Sequence, residues 1–130
     1  MSSTFILVSQ YRLKEGHLED YRDWVKGLAD FVKSREPRMI AFHVYANDQG
    51  TEVTGIQVHP DAESMESHMQ IVREYIQTAF GDFFESTNLL LACGEGEAAR
   101  AMMKQITPPN TPLTAMPQHL GGFTRPLAAP

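Results

Sequence analysis

Apolar residues along the chain recur first at alternate positions and then at intervals of three and four, and the switching between these periods predicts the elements. Residues 4–13 read as a strand, with Phe5, Leu7, Ser9 and Tyr11 on one face and Ile6, Val8, Gln10 and Arg12 on the other. From Leu18 the apolar positions are Leu18, Tyr21, Val25, Leu28 and Val32, a helical stripe widened by Trp24 and Phe31. Pro37 closes this helix, because the residue before a proline is pushed out of the α region. Residues 39–46 predict a second strand, Asn47-Asp48-Gln49-Gly50 a turn, and residues 52–59 the returning hairpin strand. After Pro60, Asp61 or Ser64 can cap a long helix whose stripe is Met65, Met69, Val72, Ile76, Phe80 and Phe83. Thr87 to Cys93 is apolar and strand-like, Glu97 to Ile106 reads as a short helix, and residues 119–125 are expected to add an edge strand.

The resulting β-α-β-β-α-β order predicts an α+β domain of ferredoxin-like plan with an antiparallel sheet. Two helices can cover only one face of such a sheet, yet the first strand is apolar on both. Full burial of an aliphatic or aromatic side chain is worth roughly 1.5–3 kcal/mol, so a bare second face carrying Ile6 and Val8 would be costly. The expected partner is a second copy of the chain, stacked through the sheet as a homodimer.

Composition narrows the function. The chain has 130 residues, enough for one core, and ordinary hydrophobic and charged fractions. No apolar run approaches the roughly 20 residues that span a bilayer, and no basic segment followed by an apolar stretch opens the chain. No membrane association and a cytoplasmic location are therefore expected, which a lone Cys93 suits. A net charge of −5 disfavours nucleic acid, which selects for surplus Lys and Arg. The charge is uneven: residues 98–130 contain Arg100, Lys104 and Arg125 and no acid, and most of the prolines. Residues 1–106 are thus expected to form the domain and residues 107–130 a Pro-rich extension.

Several segments carry a resemblance: K-E-G-H-L-E-D-Y before the first helix, then S-R-E-P-R-M-I-A-F-H-V-Y, then Q-V-H-P-D-A-E-S-M-E-S-H. Through Gly16, Arg35-Glu36-Pro37, Asp61 and His68, residues 4 to 93 resemble the antibiotic biosynthesis monooxygenase-like proteins of the dimeric α+β barrel superfamily. Gln57, His59 and Arg38 stand where those proteins usually carry glutamate, tryptophan and glycine. The resemblance implies a ferredoxin-like dimeric barrel with a cleft between sheet and helices, in which some relatives oxidise electron-rich aromatic compounds with molecular oxygen and no metal or flavin. Other relatives degrade haem, for which the usual asparagine and tryptophan are replaced here by Ser9 and His59, an argument against that activity.

The candidate chemistry centres on histidine, which titrates near neutrality and can take a proton from an acidic phenol. His59, at the end of the third strand, and His68, in the following helix, are expected to approach one another across a short loop and to supply the catalytic base. Ser9, Tyr11, His43 and Tyr45 are expected to be polar handles on an apolar, substrate-binding wall. Each of these residues also has a plain reading: His59 as a solvated strand end, His68 as a flank of the helical stripe, and the others as core residues with satisfied hydrogen bonds. No two histidines share one helix at metal-ligand spacing, so no metal is expected, and the glutamates of Gly94-Glu95-Gly96-Glu97 argue against a dinucleotide. The expected activity is a cofactor-independent monooxygenase acting on a small aromatic or polyketide-like compound. The alternatives are a non-catalytic small-molecule-binding or stress-associated dimer, and an isomerase or dehydratase.

Overall fold

The computed structural model describes residues 4–125. Its elements run β1 (Phe5–Leu13), α1 (Leu18–Arg35), β2 (Ala41–Ala46), β3 (Glu52–His59), α2 (Ala62–Ile71), α3 (Arg73–Thr78), a π-helical turn (Ala79–Phe83), β4 (Phe84–Cys93), α4 (Glu97–Ile106) and β5 (Thr114–Met116). The sheet order is β2-β3-β1-β4-β5, with β1 antiparallel to both β3 and β4. This is the α+β ferredoxin-like arrangement, extended by one strand.

Local chemistry accounts for the junctions. Asn47 Oδ1 accepts from the Thr51 and Glu52 amides at 2.9 and 3.0 Å, while Gly50 supplies the positive φ of 69° that the β2–β3 turn needs. Gly94, at φ 115°, leaves room for the start of β1, since a Cβ there would stand 2.5 Å from the Thr4 carbonyl oxygen. At the end of α1 the Glu36 amide still donates to the Val32 carbonyl at 2.8 Å, and the chain then turns away before Pro37. Asp61 caps α2 by accepting from the Ser64 amide at 2.9 Å.

The long helix expected after Asp61 is interrupted. Val72 departs from helical geometry (φ −101°, ψ 13°), and the last stretch widens into the π turn, where the Phe84 amide donates to the Ala79 carbonyl five residues back. The extra residue in that turn buries Phe83 and leads straight into β4, which consequently begins at Phe84 rather than at Thr87.

The helices pack on the face of the sheet that carries Phe5, Leu7, Val53, Leu90 and Ala92. At one end Phe5, Leu7, Leu90 and Ala92 meet Met65 and Met69 of α2 and Ala99 and Met103 of α4. At the other, Leu13 and Val53 meet Tyr21 of α1 with Phe83 and Phe84, and Leu28, Val32 and Val72 bridge α1 to the break after α2. Ile6, Val8, Ile56, Val58 and Leu91 lie on the opposite face and are only partly buried.

The added edge strand does not fall at residues 119–125. It is Thr114–Met116, parallel to Leu91–Cys93 of β4. Pro117 has no amide hydrogen to continue the ladder, and Gly121-Gly122 beyond it favours irregular chain. Leu120 and Phe123 are accordingly 93% and 82% exposed.

Candidate active site

Between the sheet and the helices lies a cavity of about 90 Å³, walled by Trp24, Leu28, Phe42, Val44, Val72, Ile76, Phe80 and Phe84. Its polar contributors are Ser9, Tyr11, Gln57 and His68, with Tyr21 at the margin. Gly55 also lines it, and a Cβ at that position would come within 3.1 Å of Ser9 Oγ. The break at Val72 and the π turn bring α2, α3 and Phe80 around one side of this space.

His68 and Glu36 form the most unusual pair in the site. Both side chains are about 95% buried, at 4% and 5% exposure, and Nδ1 of His68 lies 2.8 and 3.0 Å from the two carboxylate oxygens of Glu36. The Nδ1–H donates and the carboxylate accepts. His68 lines the cavity, and its Nε2, on the far side of the ring from Glu36, makes no hydrogen bond to a described residue. A neutral imidazole held in this way presents its lone pair to whatever occupies the cavity, the arrangement that a carboxylate-oriented general base requires.

His59 is the reverse case. It is 0% exposed, its Nδ1 lies 2.8 Å from Ser64 Oγ, and its Nε2 lies 3.2 Å from Gln57 Oε1. Burial, with a smaller contribution from His68, pulls its pKa from 6.5 down to about 4. The rings of His59 and His68 are 5.6 Å apart, yet His59 is not part of the cavity wall. Asp61, which caps the same turn, is held below the ordinary carboxylate range first by the Ser64 amide and also by its ion pair with Arg38.

Tyr11 stacks on Phe84 with ring centroids 3.9 Å apart and meets Phe80 edge-on at 5.5 Å. Burial raises its pKa to about 12, against a smaller opposing effect of Ser9, so the phenol keeps its proton and can donate it.

The residues expected at the site therefore divide. Ser9, Tyr11 and His68 meet at the cavity, and His59 stands behind it. His43 and Tyr45 do not join them: they pair across from Ile56 and Thr54 on the other sheet face, and both are exposed. The strand β2 turns Phe42 and Val44 inward instead. Two polar residues, met in the sequence only as positions of the family pattern, join the site without having been expected there. Glu36 continues the buried positions Leu28 and Val32 at a step of four, and a carboxylate at that place on an apolar stripe is the signal for it. Gln57 shares its strand face with His59 and Gly55, as alternation along β3 indicates.

No protein-family model matches the chain, and no curated protein matches it. Among solved structures, MupZ from Pseudomonas fluorescens superimposes with a TM-score of 0.73 at 21% identity, over 96% of this chain and 91% of that one. A "putative antibiotic biosynthesis monooxygenase" from Bacteroides thetaiotaomicron matches at 0.59 and 16% identity over 68% of this chain and 85% of its own. A putative antibiotic biosynthesis monooxygenase from Chloroflexus aurantiacus matches at 0.55 and 15%, over 69% and 90%. The chain has the fold of the antibiotic biosynthesis monooxygenase-like proteins. MupZ is similar over nearly the whole length, whereas the other two match about two thirds of the chain. No helix among the described residues is long and apolar enough to cross a membrane, and no group of His, Cys, Asp and Glu among them is arranged to hold a metal ion.

Proposed function

We propose that this chain is an acid–base enzyme acting on a small aromatic or polyketide-like molecule between sheet and helices, and that its reaction is a cofactor-independent oxygenation. The observation that carries the reading is the buried Glu36–His68 pair, whose histidine lines an aromatic-walled cavity and keeps one ring nitrogen clear of the carboxylate. His68 takes the proton of an acidic C–H or phenol, and Glu36 stabilises the imidazolium that forms. The resulting carbanion reduces molecular oxygen and bonds to it, and the peroxide anion takes the proton back from the His68 imidazolium. The hydroperoxide then loses water, so that a CH2 group and O2 become a carbonyl and H2O. The likeness in fold to proteins named as putative monooxygenases favours oxygen as the oxidant.

Tyr11 supports a second reading. A phenol kept protonated beside the same cavity can return a proton to substrate, which makes an isomerase or dehydratase of the same base. Oxygen uptake across a panel of anthrone, quinol and flavonol-like compounds separates the readings. The oxygenase predicts uptake that falls by about 10²–10⁴ in His68→Ala. Conversion without uptake establishes the isomerase or dehydratase, and binding without any conversion establishes a binding protein.

The working unit is proposed to be a homodimer joined through the face bearing Ile6, Val8, Ile56, Val58 and Leu91. Partly exposed aliphatic side chains in the middle of a sheet favour a second copy as cover. Val8→Glu should convert the dimer to monomers in sedimentation equilibrium, and a monomeric wild type would refute this assembly.

A further inference from the structure

Gln57 sits where the cavity meets the buried histidine behind it, and the two ends of its amide have different surroundings. Oε1 lies 3.2 Å from Nε2 of His59, while the residue itself lines the cavity. An amide oxygen accepts and an amide NH2 donates. With the oxygen engaged by the Nε2–H of His59, the NH2 is the end left for a ligand. His59 is in turn fixed: a neutral ring that donates from Nε2 must accept at Nδ1, and the Ser64 hydroxyl donates to it at 2.8 Å. Ser64 is anchored through its amide to Asp61, 2.9 Å away. Burial keeps His59 neutral far below physiological pH, so this chain of donors does not reverse in the working range.

We propose that the Gln57 amide NH2 is an oxyanion donor, which hydrogen-bonds the anionic oxygen formed when His68 removes the substrate's proton, and that His59 is the positioning residue that aims it. The proposal rests on the reading of His68 as the base, and it deepens that reading by defining the substrate. The molecule must carry an oxygen conjugated to the acidic position, as in a phenol or enolisable ketone, so that the negative charge left when His68 takes the proton rests on the oxygen that Gln57 binds. Hydrogen bonds to an ionised partner are about twice as strong as neutral ones, and a donor held in place by His59 requires no reorganisation as charge develops. Glycine at position 55 keeps the neighbouring wall open beside Ser9.

The test is the binding of 4-nitrophenolate against 4-nitroanisole, followed by quenching of Trp24, the single tryptophan, which lines the cavity. The two probes share the nitrobenzene ring and differ at one oxygen, ionised in the first and methylated in the second, and are compared at a pH where the phenol is ionised. Wild type should prefer the phenolate by about tenfold or more. Gln57→Leu should abolish that preference, the phenolate losing about tenfold more affinity than the ether. Gln57→Glu, close to glutamine in shape, should reverse it by repulsion and covers the case in which leucine disturbs packing. His59→Leu should weaken the preference at unchanged ether affinity, and His59→Gln, which retains an N–H donor, should restore it. A phenolate preference that survives both Gln57 variants would overturn the assignment. Equal binding of the two probes by wild type would also overturn it while leaving the role of His68 untouched, and binding of neither would overturn both.

Discussion

Two buried imidazoles 5.6 Å apart are made into different chemical objects by what surrounds them. Around His59 every polar valence is spent: Ser64 and Gln57 occupy its two nitrogens, and burial holds its pKa near 4. Around His68 one nitrogen is spent, on the carboxylate of Glu36, and the ring lines the cavity. The comparison teaches that burial alone does not mark a functional histidine. A ring saturated by neutral partners is locked, whereas a ring held from one side by a carboxylate is oriented and still available.

The contrast is broken most severely by removing the available ring. In His68→Ala, turnover is expected to fall by about 10²–10⁴, measured as initial rates on whichever compound of the panel reacts. The same substitution leaves Glu36 buried without its partner, a loss of about 3–5 kcal/mol in urea unfolding, and the added Glu36→Gln change should recover part of that stability.

The locked ring should show itself through pH. The unfolded state takes up a proton at His59 near pH 6.5 and the folded state only near pH 4. Unfolding is therefore coupled to proton uptake between these values, and stability present above pH 6.5 is lost as the pH falls towards 4. The shift corresponds to about 3 kcal/mol at full development. Denaturant midpoints measured across that window should decline in wild type, and the decline should flatten in His59→Gln.

Smaller effects sharpen the distinction. Glu36→Gln keeps an acceptor for Nδ1–H but removes the charge that stabilises the imidazolium, so kcat should drop by roughly 10–100-fold, with modest change in KM. Ser64→Ala withdraws the donor to His59 Nδ1 and strands a buried acceptor, at a cost of about 1–3 kcal/mol in thermal or denaturant unfolding.

How much of this was legible in the sequence depends on the range of the signal. Alternation along residues 5–8 correctly separated the two faces of β1, and the spacing of Leu18, Tyr21, Val25, Leu28 and Val32 defined the helix that covers one of them. His68 was visible as a polar residue beside an apolar stripe. Its partner was not, because Glu36 stands 32 residues away and only the fold joins them. Alternation also says which residues of a strand share a face but not which face turns inward, and for that reason His43 and Tyr45 were grouped with Tyr11 when Phe42 and Val44 point to the cavity. The edge strand was misplaced by a few residues because Leu120 and Phe123 are apolar, whereas the missing amide hydrogen of Pro117 decides where pairing stops.

The most direct measurement is a long-range 15N–1H correlation spectrum of the histidine side chains, recorded at a pH where both rings are neutral. It reports which nitrogen carries each proton without any substrate. The Glu36–His68 account predicts Nδ1–H with a bare Nε2 at His68, and Nε2–H at His59. A His68 ring protonated at Nε2 would leave no lone pair facing the cavity and would contradict its assignment as the base.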